Sequence, residues 1–211
     1  MVDIAVVDYG MGNLRSVHNA LVAVAPRADI VVTGDPAVVM KAKRVVFPGQ
    51  GAMPDCMREL DARNLRSAVL DAAQNKPFLG ICIGLQMLFE HSTEGDVACL
   101  GVLRGQVVRF PHELRDVQGN KLKVPHMGWN QVHHREHVMW KGIAQDERFY
   151  FVHSYYVQPQ DSALIQAESN YPDPFVCAVA RDNLFAVQFH PEKSHTAGLQ
   201  LLGNFASWNP A

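Results

Sequence analysis

The sequence predicts an α/β protein: a single domain with a mostly parallel central sheet flanked by helices, joined to a strand-rich second half. Three observations lead there. β-branched apolar runs alternate with amphipathic segments through the first half. Extended runs dominate the second half, and helical spacing returns only in the last segment.

Element by element, Ile4 to Val7 is a β-branched strand, followed by Gly10 and Gly12 and a helical pattern through Leu14, Val17, Leu21 and Val24. Asp29 to Thr33 reads as a second strand. Arg44 to Phe47 reads as a third, ending at Pro48-Gly49-Gln50-Gly51. One or two helices follow between Asp55 and Asn75, with Leu60, Leu65, Val69 and Leu70 facing a core. Lys76 to Ile81 is a short buried strand, and Ile83 to His91 reads as an amphipathic helix. This βαβα rhythm implies parallel pairing. Arg104 to Phe110, Lys121 to Pro125, Trp129 to His133, Phe149 to Tyr156, Ala163 to Glu168, Phe175 to Ala180 and Leu184 to Phe189 all read as extended. Arg181-Asp182-Asn183 fits a hairpin turn between the last two. Thr196 to Trp208 is helical, with Leu199, Leu202 and Phe205 on one face. No linker, repeat or low-complexity tract divides the chain, so residues 1–211 are expected to form one domain.

A chain of 211 residues can bury a sizeable core. Its net charge of −2 leaves no basic surplus to neutralise a phosphate backbone, so nucleic acid is not an expected partner. Cys56, Cys82, Cys99 and Cys177 form no CxxC pair and no metal-ligand spacing, as expected for reduced thiols in a cytosolic protein. The N-terminus lacks a basic region before its apolar run, and no apolar stretch reaches membrane-spanning length. A cytoplasmic protein without membrane association is expected.

The chemistry concentrates at Gly80-Ile81-Cys82-Ile83-Gly84-Leu85-Gln86, a lone cysteine where a strand meets a helix. Flanking glycines allow close backbone approach, and a helix N-terminus favours thiolate over thiol. A buried structural cysteine is the alternative reading. A nucleophile needs a base and the base an orienting group. Phe189-His190-Pro191-Glu192 offers both, because His190 follows a strand and Glu192 can curl back onto its imidazole. The Pro48–Gly51 loop can aim backbone N–H groups at an oxyanion or cradle a phosphate. It lacks the Lys-Ser/Thr of a P-loop, and Arg15 breaks a GxGxxG pattern after Gly10 and Gly12. His133, His134 and His137 form an HHxxH cluster without an obvious acidic or cysteine partner, and no metal is expected there.

Taken together, Gly80–Gln86 around Cys82 and His190-Pro191-Glu192 resemble the class I glutamine amidotransferase family along essentially the whole chain. Asp8–Asn13, Pro125–Asn130, Phe149–Tyr155 and the extension to Lys193-Ser194 resemble the branch that works with a (β/α)8 cyclase in histidine biosynthesis. The resemblance implies that Cys82 attacks the side-chain amide of L-glutamine, with His190 as base and Glu192 as its orienting group. It implies an oxyanion site from the backbone N–H groups of Ile83 and Gln50, and substrate contacts from Gly51, Gln86, Ser154 and Tyr155. It also implies a heterodimer with the cyclase through a surface including Asn13, Trp129, Tyr150 and Lys193, and no cofactor. The loop departs from the family at Gln50, where a small apolar residue is common. Sister amidotransferases serving anthranilate, guanine-nucleotide or pyridoxal phosphate synthesis fit the Asp8–Asn13 and Pro125–Asn130 stretches less well. A γ-glutamyl peptidase has no supporting feature, and retention of Cys82, His190 and Glu192 argues against a non-catalytic regulatory role.

Overall fold

The computed structural model describes residues 2–116 and 118–210. The β-branched runs become strands of one sheet. β1 (Ile4–Val7) is buried at every position and lies between β2 (Ile30–Thr33) and β3 (Arg44–Gly49), both parallel to it. β4 (Phe78–Cys82) runs parallel to β3, with Gly49 beside Cys82, and β13 (Leu184–Val187) runs parallel to β4. Strands covered on both faces read as unbroken apolar runs, which is why these were visible in the sequence. Their helices form two packed pairs. α1 (Leu14–Val24) rests on α6 (His195–Ser207), and α2 (Pro36–Lys41) rests on α4 (Arg66–Asn75). α1 starts at Asn13, whose side chain accepts from the Ser16 N–H, and buries Val17, Ala20 and Leu21. α3 (Met53–Ala62) follows the Gly-rich loop, and α5 (Ile83–Gln86) follows Cys82.

Beyond β13 the pairing turns largely antiparallel. β12 (Pro174–Arg181) returns through a turn with Asp182 at φ 50°. The sheet continues through β10 (Tyr155–Pro159), β7 (Gly105–Arg109), β5 (His91–Ser92) and β6 (Val97–Ala98). β11 (Ile165–Asn170) pairs with β12 and also with β8 (His126–His134), which forms a long antiparallel ribbon with β9 (Glu147–His153). Among the described residues no helix is long and apolar enough to cross a membrane.

Several element boundaries differ from expectation. The helix after Cys82 lasts one turn, not through His91, because Met87, Leu88 and Phe89 are all buried in irregular chain and His91 enters β5. Asp55–Asn75 divides into α3 and α4 at Asn64, whose φ is 57°. Phe149–Tyr156 is two strands, broken at Ser154. Lys121–Pro125 forms no strand; Lys121 makes only an isolated bridge with Arg115. In α6 the buried face is Gly198, Leu201, Leu202 and Phe205, while Leu199 faces outward. α2, β5 and β6 had no clear sequence signal.

Candidate active site

Cys82 ends β4 with φ 55° and ψ −110°, a region that non-glycine residues occupy only under constraint. The constraint is visible on both sides. A Cβ on Gly84 would collide with the Phe47 carbonyl of β3. A Cβ on Gly80 would sit 2.9 Å from Ala186 Cβ and 3.0 Å from the Gly84 carbonyl oxygen. The elbow is thus wedged between β3, β13 and its own helix, which presents the cysteine at the carboxyl end of a parallel strand, where α/β sheets place their sites. The four-residue α5 is too short for a large macrodipole contribution, so the helix-terminus argument for a thiolate carries little weight here.

His190 follows β13, and its side chain and that of Glu192 are both buried. Its Nδ1 lies 2.8 Å from Glu192 Oε1, while its buried Nε2 has no hydrogen-bond partner among the described residues. Burial opposes a charged imidazole. The charge and hydrogen-bonding capacity of Cys82, followed by those of Glu192, overcome that opposition and push its pKa up to about 10. The histidine turn is tied to β9, because the His190 N–H donates to the Tyr150 carbonyl at 2.9 Å. Ser194 Oγ donates to the His190 carbonyl at 2.6 Å and accepts from the Tyr150 N–H at 3.0 Å. The other cysteines are chemically quieter: burial pushes Cys56 and Cys99 up to about 11, and Cys177 well above its usual range.

A cavity of about 440 Å³ opens over Cys82. It brings together the sequence-predicted residues Gln50, Gly51, Cys82, Ile83, Gln86, Ser154, Tyr155 and His190, with Tyr150 and Lys193 at the same wall. Gly51 has φ 119°, and the Gln50 carbonyl accepts a 3.7 Å hydrogen bond from Cys56 Sγ, which pins that peptide from behind. Asn13 and Trp129 lie outside the cavity lining. Asn13 caps α1, and Trp129 is 40% exposed, stacked on His195 at 4.8 Å and edge-on to Tyr150. The HHxxH residues diverge: His133 faces Asp146 at 3.4 Å, His134 stacks on Trp140, and His137 stacks on Phe185. Trp140 and Trp208 are buried, as core residues.

Sequence reasoning missed two groups. Glu94 lines the cavity, holds the Met53 N–H at 2.9 Å, and has its pKa raised mainly by burial. A carboxylate there can receive an ammonium group, but a single acid in a loop offers no pattern to find. The other group is a buried polar network. Gln86 Nε2 donates to the Tyr155 carbonyl and to Gln188 Oε1, both at 3.0 Å, and Gln188 Nε2 lies 3.7 Å from Cys82 Sγ. His153 Nδ1 is 2.8 Å from the same carbonyl, and its Nε2 is 3.0 Å from His126 Nδ1. Gln188 did leave a sequence signal: it is a lone amide inside the apolar run Leu184–Phe189.

A strained cysteine, a buried His–Glu pair and a cavity lined by Cys82 and His190 define the candidate site. The sequence model of the class-I glutamine amidotransferases matches residues 5–207. The chain belongs to the class-I glutamine amidotransferase family. This amidotransferase is 67% identical to the imidazole glycerol phosphate synthase subunit HisH of Thiobacillus denitrificans, covering 99% of this chain and 92% of that one. It is 68% identical to the HisH protein of Nitrosospira multiformis, covering both chains completely. Among solved structures, a putative GMP synthase component from Thermoplasma acidophilum superposes with a TM-score of 0.69 at 20% identity, over 98% of this chain and 92% of that one. A structure described as a glutamine amidotransferase gives 0.71 at 15% identity, over 97% and 99%. Both have the same amidotransferase fold.

Proposed function

We propose that the chain is the glutaminase subunit of imidazole glycerol phosphate synthase, a cytoplasmic enzyme of histidine biosynthesis. It hydrolyses L-glutamine to glutamate and passes the ammonia to a (β/α)8 cyclase partner in a heterodimer. The observation that carries this reading is Cys82 on its wedged elbow beside the His190–Glu192 pair, in a chain about two-thirds identical to proteins of that name.

In this mechanism Cys82 Sγ attacks the glutamine Cδ, and the amide oxygen takes the negative charge. Backbone N–H groups of Ile83 and Gln50 receive that oxyanion. His190, protonated beside the thiolate and held by Glu192, gives its proton to the departing nitrogen, so ammonia leaves and a glutamyl thioester remains. Water then attacks the thioester, His190 takes its proton, the carbon–sulfur bond breaks, and glutamate departs. Gln86, Gly51, Ser154 and Tyr155 line the substrate cavity, and Glu94 is suited to the substrate ammonium. The ribbon carrying Trp129 and Tyr150, together with Asn13 and Lys193, faces the partner.

Glutamine hydrolysis measured with and without the purified cyclase and its ligand tests the coupling; full activity alone, unchanged by the partner, would defeat it. Cys82→Ser should lower glutamine use at least about 1,000-fold while ammonia-dependent synthesis by the complex persists. A glutamine-mimicking electrophile should modify Cys82. An adduct on Cys56, Cys99 or Cys177 would overturn the assignment.

A further inference from the structure

The Tyr155 carbonyl can only accept hydrogen bonds, and it meets two side chains. Gln86 is 3.0 Å away, so its nitrogen must be the atom facing the carbonyl. That nitrogen lies 3.0 Å from one atom of the Gln188 amide, which must therefore be the oxygen. The Gln188 nitrogen is then turned toward Cys82 Sγ, at 3.7 Å. Flipping Gln188 would set nitrogen against nitrogen at Gln86 and turn its oxygen toward a Cys82 thiolate, which has no proton to offer it.

The second side chain locks the carbonyl itself. His153 Nδ1 is 2.8 Å from it and so carries the proton, leaving Nε2 to accept from His126 Nδ1 at 3.0 Å. His126 Nε2 then accepts from Asn130 Nδ2 at 3.2 Å. Every link donates in the same sense, and neutral imidazoles are required throughout. Burial lowers both histidines, His126 to about 4 and His153 to about 3. The titratable groups coupled to Cys82 include the His190 imidazole, Tyr9 and Cys56, and Glu94 and Lys193 line the same cavity.

We infer that Gln188 is a further catalytic residue: its side-chain N–H donates to Cys82 Sγ and steadies the thiolate, in an orientation dictated through Gln86 by the Tyr155 carbonyl. The inference rests on the reading of Cys82 as the glutaminase nucleophile. Gln188 is fully buried, reaches no solvent, and supplies locally the stabilisation that a one-turn helix cannot. Hydrogen bonds to an ionised acceptor are the stronger kind, so the contact favours thiolate over thiol.

The test is the pH dependence of Cys82 alkylation by iodoacetamide, read by mass spectrometry on the intact chain. Gln188→Met should move the midpoint of that curve up by about one pH unit, because it removes the donor and keeps the length. Gln188→Glu should move it further, by setting a carboxylate against the sulfur. An unchanged midpoint in a folded Gln188→Met protein overturns the inference. Should that variant not fold, the unaltered chain decides. The Gln188 side-chain amide protons, followed by nitrogen-15 NMR, should shift at the same pH midpoint and again on alkylation of Cys82. Resonances indifferent to both overturn it. Glutamine turnover by the complex is scored separately. A shifted midpoint in the variant keeps the thiolate contact even where the unaltered complex turns over no glutamine, which would sink the glutaminase reading; turnover by the unaltered complex with an unmoved variant midpoint does the reverse.

Discussion

The parallel strands and the β8–β9 ribbon contribute to the cavity in opposite ways. The parallel side positions Cys82, the proposed nucleophile, through backbone constraint. Cys82 is held at positive φ where a glycine is pressed on Phe47. The ribbon side supplies its wall through buried polar groups, with His126 and His153 held neutral in a hydrogen-bonded chain. One is fixed by shape, the other by donor and acceptor matching. Shape is insensitive to pH; a chain of neutral imidazoles is not.

The contrast can be broken at either end. The largest effect is expected at Gly84→Ala, where the added Cβ meets the Phe47 carbonyl backbone. Overpacking there should cost about 3 kcal/mol in denaturant unfolding and remove glutamine hydrolysis, and a stable, active variant would show that the wedge is dispensable. Acid should strike the ribbon next. His126 and His153 have folded pKa values near 4 and 3, against 6.5 unfolded, so their stabilising contribution is present above pH 6.5 and is lost as pH falls. Unfolding free energy should drop by about 2 kcal/mol per histidine between pH 7.5 and pH 5, and His126→Phe should flatten that limb. His190 works in the opposite sense. Raised to about 10, it stabilises fully below pH 6.5, and its contribution fades as pH climbs toward 10. The smallest effect is expected at Gln50→Val. The side chain is exposed and the proposed donor is backbone, so glutamine turnover should change by less than about threefold.

Legibility in the sequence followed the same division. β1, β3 and β4 were readable because strands buried on both faces leave continuous β-branched runs. The turn after Cys82 was misread because Leu85 to Phe89 is buried throughout, Gln86 included, so no exposed position marks where the single helical turn ends. Cys82, His190 and Glu192 were found through local spacing. Glu94 and His153 were not, since they meet the cavity only through long-range pairing: β9 against β8, and the segment after β5 against α3. Gln188 marked itself as an amide in an apolar run, yet its partner at the sulfur is 106 positions away.

The Tyr150 backbone binds the His190–Ser194 turn twice, accepting from the His190 N–H and donating to Ser194 Oγ, whereas Cys82 ends β4. His190 also follows β13, which pairs with β4, so its turn joins the parallel sheet to the ribbon.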